Sequence, residues 1–546
     1  MPAWLVKWLA KWFDATILDL ARQFHWSFLP PLMVYFAFGV SGLTAIVGAF
    51  FVKEYLGLSA SFLAGLAFWA GLPWALKMPV GHMVDVFWRW KALLVYVGAG
   101  LIAASLLIMY ALIRSPDAMA GAMPVEAWFV MATLLAPSGF VLQDAVADAM
   151  SVEAVPTVDA AGRPLGEVET KALHTTMQTL GRIALIIGLV AVAVLNIVMF
   201  EGVDTLDPSA KAEVYGRIYL IGLAIPAISV SGVLLAAWLK HRRRGAMRAS
   251  GLNESEIARR LEPAHEKTAP NAWYFGGGAA FVALTLLIGL ADPPLAQELV
   301  FIGSMAVVGV LMARLARELS PDRARMLFGT AIIIFIFRAV PRPGPGATWF
   351  EIDVLGFDQQ FLSVLTLLTS VLALVGMVIL RPLMAARPIT FIVALLTIVG
   401  GLLQLPNIGL YYGLHEWTAP LTAGVVDARF IAVLDTAIES PLAQVAMIPM
   451  LAWIAKNAPP SLKATFFAVI ASFTNLALSA SSLLTKYLNQ FFVVTREVRD
   501  AATGEIEIAA NYDDLGALLI AAAIITVAAP FAAILVIQNS SLRTTE

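Results

Sequence analysis

The sequence predicts an all-α polytopic membrane protein. Apolar residues make up 60% of the 546 positions and charged residues only 14%, against about 45–50% and 25% in soluble domains. Apolar runs of about twenty residues, the length that crosses a hydrocarbon core, recur along the chain. Basic residues gather in alternate segments between those runs, as the positive-inside rule requires.

Before the first run, Trp4, Leu5, Trp8, Leu9, Trp12, Phe13, Ile17 and Leu20 fall at helical spacing, with Lys7, Lys11 and Asp14 between them. This predicts an amphipathic interfacial helix within 1–28. No small-residue cleavage site follows a short apolar core, so the segment does not read as a cleavable signal. Spans are then expected at 30–50, 60–80, 92–113, 127–150, 173–200 and 216–239, a six-helix bundle over 29–240. A basic linker, 241–271, carries Arg242, Arg243 and Arg244. Two spans at 272–291 and 296–314 form a hairpin insert, 272–315. Six more at 324–340, 359–380, 388–410, 425–455, 462–487 and 513–538 make a second bundle, 316–546. The Arg342–Gly346 run breaks the helix before it, and Thr495–Asp514 reads as a solvated outer loop. With both termini in the cytoplasm, most of the 36 lysines and arginines lie inside. An insert of two spans preserves the orientation of both bundles.

Fourteen helices as six, two and six, with a basic linker after the first six, is the layout of the major facilitator fold. Its halves are parallel repeats with the substrate site between them near the midplane. The fourth helix of each half then faces the cavity, and there the acidic residues stand. Asp144 and Asp148 are four apart, as are Asp435 and Glu439, so each pair shares a helix face. An intramembrane carboxylate costs about 2.5–3.5 kcal/mol or more, so it faces water or a partner charge, or else sits at a helix end among headgroups. Asp144 lies roughly 9 Å and Arg182 roughly 14 Å from the same membrane face by helical rise. The two are within reach of pairing. Arg182, one turn after Gln178, serves either an anionic substrate group or a permanent ion pair. Arg338 either pairs with Asp435 or snorkels to the outer interface. Opening to alternate sides changes desolvation and charge at a cavity carboxylate, so Asp144 or Glu439 is the expected proton carrier. Phe335, Phe337 and Trp69 are candidate stacking surfaces for a flat ring.

The short inside loop after the second span, with Lys77, Gly81, Asp85, Arg89 and Lys91, resembles the facilitator loop motif G-x-x-x-D-x-x-G-R/K-R/K. It departs from it at Val86–Trp88, where the second glycine is missing. As a gating loop, Gly81 would admit a neighbouring helix and Asp85 would bond Arg89 or a helix end.

Several stretches sharpen the resemblance. Pro73, Trp74, Lys77, Pro79 and Gly81 resemble a stretch of the folate-biopterin transporter family. So do Gln143, Asp144 and Asp148 in the fourth helix, and Asp435, Glu439, Gln444 and Pro449 in the tenth. Phe350 to Phe361, with Leu355, Gly356 and Phe357, resembles its loop after the seventh helix, and Pro459, Pro460, Phe467, Asn475 and Ser481 its tenth loop and eleventh helix. The resemblance covers both six-span halves in order. It implies secondary active, proton-coupled transport of a folate- or pterin-like organic anion. A more distant resemblance to muropeptide permeases implies muropeptide import instead, and the family's pigment-complex assembly factors imply a role without transport. The expected partners are the anion, protons and the bilayer, for a monomer in a bacterial inner membrane.

Other chemistries are excluded. There is no cysteine for disulfides, clusters or thiol catalysis, and the six histidines lack metal-ligand spacing. No Walker loop or nucleophile elbow is present. A net charge of −2 gives nucleic acid no electrostatic footprint. No cofactor, metal or enzymatic activity is expected.

Overall fold

With no water in the hydrocarbon, every backbone N–H and C=O must be paired within the chain, so the apolar runs become helices. The structure, a computed structural model, describes residues 24–543 apart from 57, 76, 88–89, 157–164, 262–271, 292, 318, 380–387, 441–462 and 500–505. The expected helix in 1–28 falls almost wholly outside these residues, as do Arg89 and Gln444, and the side chains of Asp85, Gln178 and Glu439 are likewise outside the description.

The first span is α1 (Leu29–Val40) and α2 (Ala45–Tyr55), joined by a 3-10 turn. Next come α3 (Ala60–Ala75), α4 (Lys77–Val86), α5 (Lys91–Arg114), α6 (Val125–Ala154) and α7 (Glu167–Met199). The sixth span starts earlier than hydropathy suggested, as α8 (Pro208–Gly222) running into α9 (Ala224–Ala249). Asp207 caps it, its carboxylate accepting from the Ser209 and Ala210 amides. The linker carries α10 (Glu254–Leu261), and the insert is α11 (Ala272–Ala291) and α12 (Ala296–Ala316). Then follow α13 (Pro321–Ala339), α14 (Pro345–Asp353), α15 (Gln359–Ile379), α16 (Ile389–Leu402), α17 (Leu405–Tyr411), α18 (Leu414–Leu421), α19 (Ala428–Glu439), α20 (Lys463–Phe491) and α21 (Leu515–Gln538). Helix lies in each expected span as far as the described residues reach; the rest of the tenth, 441–455, lies outside them. Among the described residues, ten helices are long and apolar enough to cross a membrane.

Between apolar helices in lipid, close packing replaces the hydrophobic effect as the cohesive force. The tightest crossings use paired glycines. A Cβ on Gly98 of α5 would lie 2.6 Å from the Gly139 carbonyl oxygen of α6, and one on Gly139 2.5 Å from that of Gly98. Gly39 of α1 and Gly188 of α7 meet in the same way. Elements from opposite ends of the chain pair along two seams, α3 with α20 and α7 with α15. On the first seam Asn475 donates to the Trp74 carbonyl (2.9 Å), and on the second Gln360 donates to the Ile197 carbonyl (3.4 Å).

Two loops differ in kind. The Arg342–Gly346 run breaks the helix as expected: α13 ends at Ala339, and Gly344 at φ +85 leads into Pro345 at the start of α14. Thr495–Asp514, in contrast, is not simply solvated. It holds a ribbon, β1 (Val498–Arg499) against β2 (Ile506–Ile508), and Arg496 is only 4% exposed, its guanidinium over the Trp349 ring. An aromatic face gave that arginine an alternative to water.

Candidate functional site

Asp144 and Asp148 sit one turn apart in α6, and two other helices reach them. Lys77, the first residue of α4, places its ammonium 2.6 Å from Asp144 and 2.9 Å from Asp148. From α1 the Tyr35 hydroxyl donates to the other Asp148 oxygen at 2.8 Å. The two carboxylates differ in exposure: the Asp144 side chain is 13% exposed and that of Asp148 47%. One is enclosed, then, and the other meets open space. A lysine stem of four carbons reaches both. In contact with each other these groups count one positive charge against two negative.

Beneath the trio, Gln143 locks α6 in place. It is 3% exposed, donates to the Val95 carbonyl of α5 (3.3 Å) and accepts from Ser229 of α9 (2.9 Å). Further along, Lys91 pairs with Glu153 at 2.5 Å, tying the start of α5 to the last turn of α6.

Several expectations are corrected here. Asp144 pairs with Lys77, not Arg182. Arg182 is exposed on α7 and reaches Asp144 only through the longer-range attraction of its charge. The segment read as a short loop is largely the helix α4, because the second span continues to Val86. Gly81 admits no close neighbour, since a Cβ there would meet nothing within 4 Å. Gly81→Ala is therefore expected to leave the melting temperature unchanged or to raise it, by up to about 1 kcal/mol in stability from helix propensity; thermal unfolding in detergent measures this.

In the second half, Asp435 is 7% exposed and accepts from Asn407 of α17 at 3.1 Å. Glu351 of α14 stands near enough to feel its charge. The Arg342 charge acts on Arg338, and of the two alternatives for Arg338 the pair with Asp435 is not formed: Asp435 takes the Asn407 amide contact. Glu439 ends α19. Phe335 is engaged by Phe473, with centroids 4.8 Å apart. Trp69 packs edge-on against Phe68 and lines a cavity of about 400 Å³ beside α12. Sequence reasoning missed Tyr35, Asn407 and Glu351. The signal available for Glu351 was its place in the stretch resembling the family's seventh loop.

The comparisons agree with this architecture. The BT1 family model matches residues 38–544. The chain is 23% identical over 471 residues to a folate-biopterin transporter of Synechocystis sp., across 85% of this chain and 75% of that protein. It is similar in structure to a POT family transporter in complex with 5-aminolevulinic acid, with a TM-score of 0.59 and 12% identity over 93% of this chain and 95% of that one. It is also similar to the nucleoside transporter NupG, with a TM-score of 0.51 and 12% identity over 96% and 100%. At such identities the likeness speaks for the fold, which is the major facilitator fold. A family match running over nearly the whole length, on that fold, leaves one conclusion: this chain belongs to the BT1 family and is a multi-pass membrane transporter, not an enzyme.

Proposed function

We propose that the chain is a proton symporter that takes up a folate- or pterin-like organic anion by alternating access. The observation that carries this reading is the Lys77–Asp144–Asp148 trio. Fully ionised, it holds one negative charge in excess, and a charge at such depth is costly. One proton removes the excess, and Asp148, half open, is the route by which it enters and leaves. Among the described residues Arg182 is in no ion pair, so its guanidinium is the contact for a substrate carboxylate, with Gln178 one turn away on α7. An anion seated on Arg182 withdraws the attraction that Asp144 felt, and a proton makes up the loss. Substrate and proton then favour each other's binding, which is the thermodynamic content of symport.

The substrate class rests on the name of the Synechocystis relative and on the carboxylates that such ligands carry. Asp435, Glu439 and Gln444 are assigned to the facing wall, on the second six-helix half beyond the insert. The basic end of α9 and the linker favour a cytoplasmic position for that side, in a bacterial inner membrane.

The test is uptake of labelled folate into proteoliposomes with and without an inward proton gradient. Wild type is expected to accumulate substrate only with the gradient. Asp144→Asn should equilibrate substrate without concentrating it, and Arg182→Gln should lose apparent affinity. Equal accumulation by wild type and Asp144→Asn would refute the coupling site. No transport of any folate or pterin by folded protein would refute the substrate class.

A further inference from the structure

The two-helix insert touches the segment that carries Lys77. Helix α11 packs on α4. Gly278 is buried against Pro79, where a Cβ would come within 2.5 Å of the proline Cβ, and Phe275 stacks on His82 with ring centroids 4.8 Å apart. Pro79 and His82 lie two and five residues after Lys77, within its own helix. The other arm of the insert is fixed to the opposite end of the chain. Glu298 of α12 pairs with Lys486 of α20 at 3.3 Å and accepts from Tyr487. Val300 and Leu311 of α12 share one apolar cluster with Leu327 of α13 and Leu476 of α20. The insert therefore spans the seam between α3 and α20, held on one side by α13 and α20 and pressing on the other against α4.

We propose that the inserted hairpin is a positioning element for Lys77: it holds α4 at the height and rotation at which the ammonium reaches both Asp144 and Asp148, and it ties that position to α13 and α20. The geometry needs such a support. A single lysine bridging two carboxylates of one helix tolerates little displacement, since charge-assisted contacts of this kind hold near 2.7–2.9 Å. Pro79 lacks an N–H, so the helical ladder around Lys77 is short of one hydrogen bond and constrains the segment less tightly. The close approach at Gly278 sets how deep α11 can sit, and with it how far α4 is pushed toward α6. Because α12 moves with α20, a shift of α20 relative to α3 is passed to Lys77 through a rigid pair of helices. The proton site proposed above would then sense the arrangement of both halves, although the positioning itself stands apart from that reading and is tested apart from it.

The readout is the reactivity of the Lys77 amine toward an acylating reagent, followed by mass spectrometry on protein in lipid nanodiscs, with Lys91 as internal reference. Only the neutral amine is nucleophilic, so a lysine clamped between two carboxylates acylates slowly. Gly278→Leu pushes α11 off Pro79, and Phe275→Ala removes the contact with His82. Both are expected to raise Lys77 labelling several-fold. Gly276→Leu is the matched control on the same helix, since a Cβ there meets nothing within 4 Å. It should leave labelling unchanged. Should Gly278→Leu fail to fold, Phe275→Ala, which creates no clash, carries the test alone. Labelling unchanged by Phe275→Ala, or raised equally by Gly276→Leu, overturns the proposal. Neither result depends on whether folate is the substrate, and failure of folate uptake would leave this result standing.

Discussion

Lys77→Met is expected to lower the stability of the folded protein by about 3–5 kcal/mol, the range for removing one partner of a buried ion pair, and to abolish gradient-driven accumulation. Methionine keeps the apolar stem and deletes the ammonium. Asp144, 13% exposed, then faces Asp148 one turn away with no cation in contact. Two carboxylates sharing a site repel, and the neutral donor Tyr35 serves Asp148, not Asp144. Combining Lys77→Met with Asp144→Asn should restore much of the loss, because the remaining carboxylate is the half-exposed one and keeps its tyrosine. Thermal unfolding of the two single variants and the double variant in one detergent reads this as a cycle. Strict additivity would show that the contact contributes nothing as a pair.

Gly139→Leu should have a still larger effect, the loss of folded protein from the membrane. The obstacle is the backbone oxygen of Gly98, not the flexible end of a side chain, and the contact is reciprocal. Overpacked side chains cost about 1–3 kcal/mol when neighbours can yield; here two helix axes would have to separate. That separation would also pull Gln143 from Val95 and Ser229 and carry Asp144 and Asp148 away from Lys77. Gly100→Leu supplies the comparison, two residues from Gly98 on the same helix, where a Cβ meets nothing within 4 Å. Size-exclusion profiles of the two variants from equal amounts of membrane distinguish them. Similar monodisperse peaks would mean that the close crossing is dispensable.

The spans were legible because the bilayer imposes length and hydropathy locally, residue by residue. Asp144 and Asp148 were legible for the same reason, since their depth is costly and must have a cause. The cation opposite them was not. A lysine at the end of a span is usually assigned to water, and its stem can turn either way; only the packing of α4 beside α6 decides the direction. The charge count was a usable clue, because two neighbouring carboxylates in a membrane call for a basic residue within reach. Tyr35 lies in an aromatic-rich stretch with Phe36 and Phe38, where its hydroxyl looks like any other interfacial group. Asn407 and Glu351 come close to Asp435 only through the packing of α14, α17 and α19. Nor does any local pattern separate Gly98, which a neighbouring helix touches, from Gly100, which none does.

Helix α6 has one further consequence. Its 30 residues extend about 45 Å, more than the roughly 30 Å of hydrocarbon. One rod therefore carries two ionic anchors in different media. The Lys77 contacts lie deeper along it, while Lys91 and Glu153 meet in its last turn, where the Glu153 side chain is 45% exposed. Raising ionic strength from about 0.01 to 1 M shortens the Debye length from about 30 to about 3 Å. Dissolved salt can screen the terminal anchor and the half-exposed Asp148, but scarcely reaches Asp144, whose side chain is 13% exposed. Ionic strength thus acts as a selective solvent for this helix, loosening its tip from α5 while the Lys77–Asp144 contact stays fastened.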